Sequence, residues 1–321
     1  MLIPILLIIL GLGILIVGGE ILVKGSASVA KRLNISPIVI GLTIVAFGTS
    51  APELVVNIFS ALKGAPDIAI GNILGSNIAN ILLVLGISSI IYPLTVKEGT
   101  TWKEIPFAIL VVLVLFLLVN DVLFGNSAQN ILTRGDGLIL ISFFVIFMYY
   151  TYSLAKVKGD VEEQPEKFAW STSILFIIGG IICLVLGGKL MVDNGIILAR
   201  LAGMSELLIG LTIVAVGTSL PELATSIIAA YKKHDEIAIG NVVGSNIFNV
   251  LWILGVTPIV HSIDINEMVN IDLFITLVAT CLLFAYMFVG NKGGKYTLTR
   301  WQGISFVLLY IIFTGYVFIR G

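Results

Sequence analysis

Two stretches decide the reading of this chain. Residues 41–86 are GLTIVAFGTSAPELVVNIFSALKGAPDIAIGNILGSNIANILLVLG. Residues 210–255 are GLTIVAVGTSLPELATSIIAAYKKHDEIAIGNVVGSNIFNVLWILG. At a constant offset of 169, 28 of these 46 positions are identical, where unrelated segments would share only a few. The likeness reaches backwards at the same offset, pairing Gly11 with Gly180 and Gly18-Gly19 with Gly187-Gly188. It also reaches forwards, where Thr133-Arg134 and Gly137 resemble Thr299-Arg300 and Gly303. An internal repeat of this kind governs every other inference about the fold.

The chain around the repeats is apolar. Of its 321 residues 58% are hydrophobic and 12% charged, against roughly 25% charged in an average soluble domain. The mean hydropathy is +1.10. So few charges cannot cover a soluble protein of this size, so the chain is expected to be an all-α polytopic membrane protein. Eighteen basic and 19 acidic residues leave a net charge of -1, which argues against a nucleic-acid partner. Cys183 and Cys281 sit inside apolar runs and His234 and His261 are the only histidines, so neither a disulfide framework nor a zinc site is indicated.

A spanning helix needs about 20 mainly apolar residues. Windows of that length predict ten transmembrane helices, near 2–23, 37–62, 68–92, 105–119, 136–155, 171–192, 206–231, 236–259, 272–289 and 301–319; the fourth is short. The first lacks the basic start and small-residue cleavage site of a signal peptide. Sorting the basic residues onto alternate sides gives 13 against 5. The richer side should be cytoplasmic, which leaves both termini extracellular in the cell membrane. Trp102, Trp170 and Trp301 stand at span starts, as an interfacial aromatic belt requires. The one long polar segment, KVKGDVEEQPEK at 156–167, reads as a cytoplasmic linker over 156–170. It separates a first five-helix half, 1–155, from a second, 171–321. Five is odd, so the second copy enters the membrane from the opposite side. Such inverted repeats are a device of secondary transporters.

Each repeat places polar residues in mid-span. The first motif is Gly48-Thr49-Ser50-Ala51-Pro52-Glu53, with Gly217-Thr218-Ser219-Leu220-Pro221-Glu222 as its copy. A carboxylate at that depth costs several kcal/mol without compensation, and no lysine or arginine lies deep in any span. A bound cation supplies the missing charge. Pro52 and Pro221 lack an N–H and clash with the preceding turn, so carbonyls over 46–49 and 215–218 are expected to be released. Carboxylate, hydroxyl and carbonyl oxygens suit hard cations rather than soft metals. Thr49 and Ser50 lie four and three residues before Glu53 and share its face.

The second motif is Gly71-Asn72-Ile73-Leu74-Gly75-Ser76-Asn77-Ile78-Ala79-Asn80, repeated from Gly240 to Asn249. Ser76 and Asn80 share a helix face, as do Ser245 and Asn249. Their alternative use is interhelical hydrogen bonding without a ligand. Gly71, Gly75, Gly240 and Gly244 have the small-xxx-small spacing of close helix packing. Asn72 and Asn77 lie off the Ser76–Asn80 face and read as packing or hinge residues. Glu20, Lys24, Lys189 and Asp193 stand at span ends and read as interfacial anchors.

With both motifs doubled, the chain resembles the cation/calcium antiporter superfamily, and within it the prokaryotic sodium/calcium exchangers. The resemblance covers nearly the whole chain. It implies Na+ and Ca2+ as substrates, no cofactor, and a cluster of cation sites among spans two, three, seven and eight. It implies Ca2+ binding by Glu53 and Glu222 with the carbonyls of Thr49 and Thr218. It further implies Na+ sites that use the same glutamates with Ser50, Ser76, Ser219, Ser245 and the carbonyls of Ala46 and Ala215. Asn80, opposite Asn249, would complete the central position. Many family members, including the potassium-dependent branch, carry aspartate where this chain has Asn249. The site then holds two formal negative charges rather than three, which disfavours potassium co-transport. The linker is too short for the regulatory domain of the animal exchangers. In the family the first and sixth spans are thought to slide as a pair. Here they carry Gly11, Gly13, Gly18 and Gly19, and Gly179, Gly180, Gly187 and Gly188, residues that packing alone also explains.

Three rivals remain: a Ca2+/H+ exchanger cycling protons on the same glutamates, a cation channel, and a membrane-embedded enzyme. The last lacks HExxH, GxSxG or any paired catalytic aspartates. A monomer is the expected working unit.

Overall fold

The computed structural model describes residues 2–62, 66–124, 129–156, 167–203, 215–266, 268–289 and 296–320. Most of the linker (157–166) and the start of the predicted seventh span (206–214) lie outside them, as do Lys63, Lys158, Lys292 and Lys295 of the charge count.

Apolar segments in a membrane must satisfy every backbone group internally, which leaves helices as the solution here. We number them α1 (Leu2–Leu33), α2 (Pro37–Thr49), α3 (Ala51–Leu62), α4 (Ala69–Ile91), α5 (Thr100–Leu118), α6 (Arg134–Ala155), α7 (Trp170–Leu201), α8 (Ala215–Thr218), α9 (Leu220–Tyr231), α10 (Asp235–Val260), α11 (Val269–Tyr286) and α12 (Arg300–Arg320). Among the described residues eight of these are long and apolar enough to cross a membrane, and α2 with α3 makes a ninth, bent by 45°. The chain is a multi-pass membrane protein.

Three boundaries differ from the sequence reading. The helices α1 and α7 run on to Leu33 and Leu201, because a hydropathy window stops at the first charges whereas the backbone hydrogen bonds do not. Lys24 is tolerated there by the Glu20 carboxylate one turn earlier, at 3.0 Å. The fourth span gains a turn at its start, from Thr100 to Glu104. The expected all-α fold also carries two short antiparallel ribbons between loops. Strand β1 (Leu94–Val96) pairs with β4 (Tyr296–Leu298), and β2 (Ile131–Leu132) pairs with β3 (Ile263–Asp264). Each joins a loop of the first half to one of the second.

Burial sorts the helices into an inner and an outer set. In α10 94% of the spanning window is buried and in α4 78%, against 17–39% for the other six. These two carry the Gly-Asn motifs, so the motifs lie at the centre of the molecule. The outer helices turn large apolar side chains outward, such as Leu6, Ile9, Leu138, Leu175 and Ile312, toward the lipid.

The helices α1 and α7 pack on each other along a seven-residue glycine ladder. A β-carbon at Gly11 would meet the Gly187 carbonyl oxygen at 2.8 Å, and one at Gly180 the Gly18 carbonyl at 2.9 Å. One at Gly25 would meet the Ser173 carbonyl at 2.9 Å. Beyond it, the Ser28 and Ser173 hydroxyls lie 2.9 Å apart. Ascending numbers on α1 meet descending numbers on α7, so the two helices are antiparallel. Their second glycine row faces inward. Gly19 packs on Ala224 of α9, and Gly188 lies near Pro221.

The glycines of the second motif divide. Gly240 touches Gly41 of α2, where a β-carbon would come within 3.0 Å of the other α-carbon, and Gly244 sits against Leu42 and Ala46. That contact sets α2 against α10. A β-carbon at Gly71 or Gly75 would meet nothing within 4 Å among the described residues. Gly210, the counterpart of Gly41, lies outside them.

The ladder gives a test of packing. Gly187→Leu should lower the melting temperature of the purified protein, since overpacking costs about 1–3 kcal/mol. Gly13→Leu, on the exposed side of α1 where a β-carbon meets nothing within 4 Å, should leave it unchanged. Equal melting temperatures for the two variants would count against the ladder.

Candidate cation-binding site

Each GTSxPE motif breaks a helix. The turn residue is Ser50 in the first copy and Ser219 in the second, with φ near -83° and -86° and ψ near 8° and 3°. The proline one residue into the following helix explains the break, because Pro52 and Pro221 offer no N–H to the Gly48 and Gly217 carbonyls. The glutamates stand in the first turn of α3 and α9. The expected release of the Ala46 carbonyl is not met. It accepts the Ser50 N–H at 3.0 Å. The kink falls one step later than the proline clash alone implies, because Ser50 keeps its helical N–H bond. For Ala215 only the backbone lies among the described residues, in the short helix α8.

The structure brings the two motifs of each copy, and the two copies, into one buried cluster. Glu53 is 1% exposed and Glu222 0%. Thr49, Ser50, Ser76, Asn80, Thr218, Ser219, Ser245 and Asn249 are all buried as well. The Ser50 hydroxyl donates to Glu222 Oε1 at 3.0 Å and Ser245 donates to the same oxygen at 3.3 Å. Ser76 donates to Glu53 Oε1 at 3.4 Å. The first copy's serine on the second copy's glutamate makes the cluster a single site.

Among the described residues the other carboxylate oxygens have no donor. Glu53 Oε2, Glu222 Oε2, Asn80 Oδ1, Asn249 Oδ1 and Ser219 Oγ are buried and form no hydrogen bond with any described group. Neither glutamate pairs with a basic group among the described residues. A buried neutral acceptor left unmatched costs about 1–3 kcal/mol, and a charged one more. Every one of these five atoms is an oxygen. A hard cation satisfies such a set, as Ca2+ takes six to eight oxygen ligands. Protons on the carboxylates would satisfy two of the five.

Sequence reasoning missed four asparagines. Asn241 accepts from the Thr49 hydroxyl at 3.0 Å and donates to Ser226 at 2.9 Å. Its counterpart Asn72 accepts from Thr218 at 3.2 Å. Asn77 and Asn246 hydrogen-bond Asn249 and Asn80. Within its own helix Asn77 reads as lying off the Ser76–Asn80 face, but its partners lie across on the other copy's helix. A π-helical turn begins at Asn80 and another at Asn249, running to Leu85 and Ile253. Such turns shift the face and gather at functional sites. The usable signal was identity across the repeat, since all four asparagines recur at the offset of 169. Glu20, expected only to anchor α1, also reaches Lys232 beyond the end of α9 at 2.9 Å.

The family model described as "Sodium/calcium exchanger protein" matches residues 3–153 and 172–319. The putative antiporter CaxA of Alkalimonas amylolytica is 37% identical, with 99% of each chain covered. The sodium/calcium exchanger MaX1 of Methanosarcina acetivorans is 30% identical, with 98% of each covered. A solved structure of the sodium-calcium exchanger NCX_Mj, soaked with Na+ and Sr2+, superposes with a TM-score of 0.81 at 32% identity, over 97% of each chain.

An oxygen cluster of this kind should be stabilised by the ion it fits. Ca2+ at a hundred times its dissociation constant should add about 2.7 kcal/mol, read as a rise in melting temperature in Na+-free detergent solution. The double variant Glu53→Gln, Glu222→Gln should lose that rise. An equal rise in both proteins would place the bound ion elsewhere.

Proposed function

This chain belongs to the sodium/calcium exchanger protein family, and we propose that it is a secondary antiporter moving Ca2+ against Na+ by alternating access. The observation that carries the reading is the buried pair Glu53 and Glu222, each with an oxygen that no described group satisfies. In this reading ten spans form two inverted halves, with the linker cytoplasmic and both termini outside. The antiparallel packing of α1 on α7 supports the inversion.

Ca2+ binds between the two carboxylates, with the main-chain carbonyls of Thr49 and Thr218. Na+ occupies positions built from the same glutamates with Ser50, Ser76, Ser219 and Ser245 and the carbonyls of Ala46 and Ala215, and Asn80 and Asn249 face the centre. The Ala46 carbonyl would have to exchange a hydrogen bond for the ion. Coupling follows from charge and space. Two carboxylates balance one Ca2+, both ions need the same oxygens, and they therefore compete. The empty site holds two bare charges at membrane depth, a state that crosses poorly. With asparagine at both 80 and 249 there is no third carboxylate to attract K+, so the exchange is potassium-independent. The unit of transport is the monomer.

Radiolabelled Ca2+ uptake into proteoliposomes tests this, driven by an outward Na+ gradient with the pH gradient collapsed and K+ absent. Uptake is expected, and adding K+ should leave its rate unchanged. No uptake under a Na+ gradient, with uptake restored by a proton gradient, would replace Na+ by H+ as the coupling ion. Glu53→Gln or Glu222→Gln should each cut the rate on the order of a hundredfold, the loss of about 3 kcal/mol when one partner of a buried charge cluster is removed. Wild-type rates in either variant would sink the site.

A further inference from the structure

Asn77 and Asn246 form a reciprocal pair at the contact of α4 and α10. The Asn77 Nδ2 group donates to the Asn246 main-chain carbonyl at 3.3 Å, and Asn246 Nδ2 donates to the Asn77 main-chain carbonyl, also at 3.3 Å. A main-chain carbonyl can only accept, so each amide must turn its nitrogen toward the other's backbone. Each is then left with an oxygen pointing away. Asn77 Oδ1 accepts from Asn249 Nδ2 at 2.9 Å, and Asn246 Oδ1 accepts from Asn80 Nδ2 at 3.0 Å. Asn249 and Asn80 thereby turn their nitrogens toward this pair, and their oxygens are left without a donor among the described residues.

From this chain of polarity we infer that Asn77 and Asn246 are positioning residues for ion binding, which hold Asn249 and Asn80 with the amide oxygen, and not the amide nitrogen, toward the cation. Turning the Asn249 amide over would set its oxygen 2.9 Å from Asn77 Oδ1, two acceptors facing with no proton between them. Asn77 cannot turn to relieve this without setting its own oxygen against the Asn246 carbonyl. The orientation at the site is therefore anchored in main-chain carbonyls, which have no alternative polarity. The same argument runs through Asn246 to Asn80. All four side chains are buried, so solvent does not compete for these bonds. An N–H group presented to a cation repels it, whereas an amide oxygen is a ligand of the kind Ca2+ takes. The inference rests on the reading that Asn80 and Asn249 face the transported ion.

The test is Ca2+/Ca2+ self-exchange in proteoliposomes, which needs no coupling ion. Asn77→Leu should raise the half-saturating Ca2+ concentration about tenfold, with the maximal rate within roughly twofold. Asn246→Leu should do the same through Asn80, and Asn77→Ala supplies the same readout where leucine does not pack. Because Asn77 acts through Asn249, Asn77→Leu placed on Asn249→Ala should add less than roughly twofold, the mark of a shared pathway in a double-mutant cycle. Wild-type half-saturation in both Asn77→Leu and Asn246→Leu would overturn the inference. So would an undiminished tenfold effect of Asn77→Leu on the Asn249→Ala background, because a merely structural residue acts independently. Glu53→Gln measured alongside separates the premise from the inference. If it keeps wild-type half-saturation, the site assignment itself fails, whatever the asparagines do.

Discussion

Two carboxylates held at membrane depth without a basic partner among the described residues constrain everything else in this molecule. Glu53 and Glu222 are fully enclosed, and burying an uncompensated charge costs more than a typical domain's margin of stability can absorb twice. The fold meets that cost in part with hydroxyls from neighbouring helices, Ser50 and Ser245 on one glutamate and Ser76 on the other. The remaining oxygens stay unmatched. Among the described residues a carboxylate oxygen of each glutamate is left without a partner, a deficit that positive charge would fill. Full satisfaction by an arginine or lysine would give a more stable protein with nothing to carry.

The surrounding architecture serves that site. The most enclosed helices, α4 and α10, are the ones that carry its amides. Glycine lets α2 lie against α10 at Gly41 and Gly240, which brings Thr49 within reach of Asn241. The α1–α7 pair packs on a glycine ladder, where each glycine lies against both backbone and side chains of the other helix.

The sequence made the site legible because it states it twice. Glu53, Glu222 and their serines could be named from the repeat, the depth of the span and the absence of a base, and the structure gathers them. Asn77 could not be recognised in that way. Its face was judged within one helix, whereas its partners, Asn246 and Asn249, stand on the other copy's helix, and packing between helices is not written in the period of either. The Ala46 carbonyl failed for a related reason. Proline predicts that a helix will break, but which carbonyl is freed depends on the residue that keeps its N–H bond, here Ser50. The two ribbons were missed because strands of two or three residues leave no periodic signal to read.

Identical residues in the two copies do not behave identically. Ser50 donates to Glu222 across the site, whereas the hydroxyl of its counterpart Ser219 has no hydrogen-bond partner among the described residues. Glu222 Oε1 accepts from two serines and Glu53 Oε1 from one. The motif itself differs at one position, Ala51 in the first copy and Leu220 in the second, and the repeats differ at 18 of their 46 positions. The two serines therefore meet different neighbours, and identity within the motif does not by itself fix which glutamate a serine reaches.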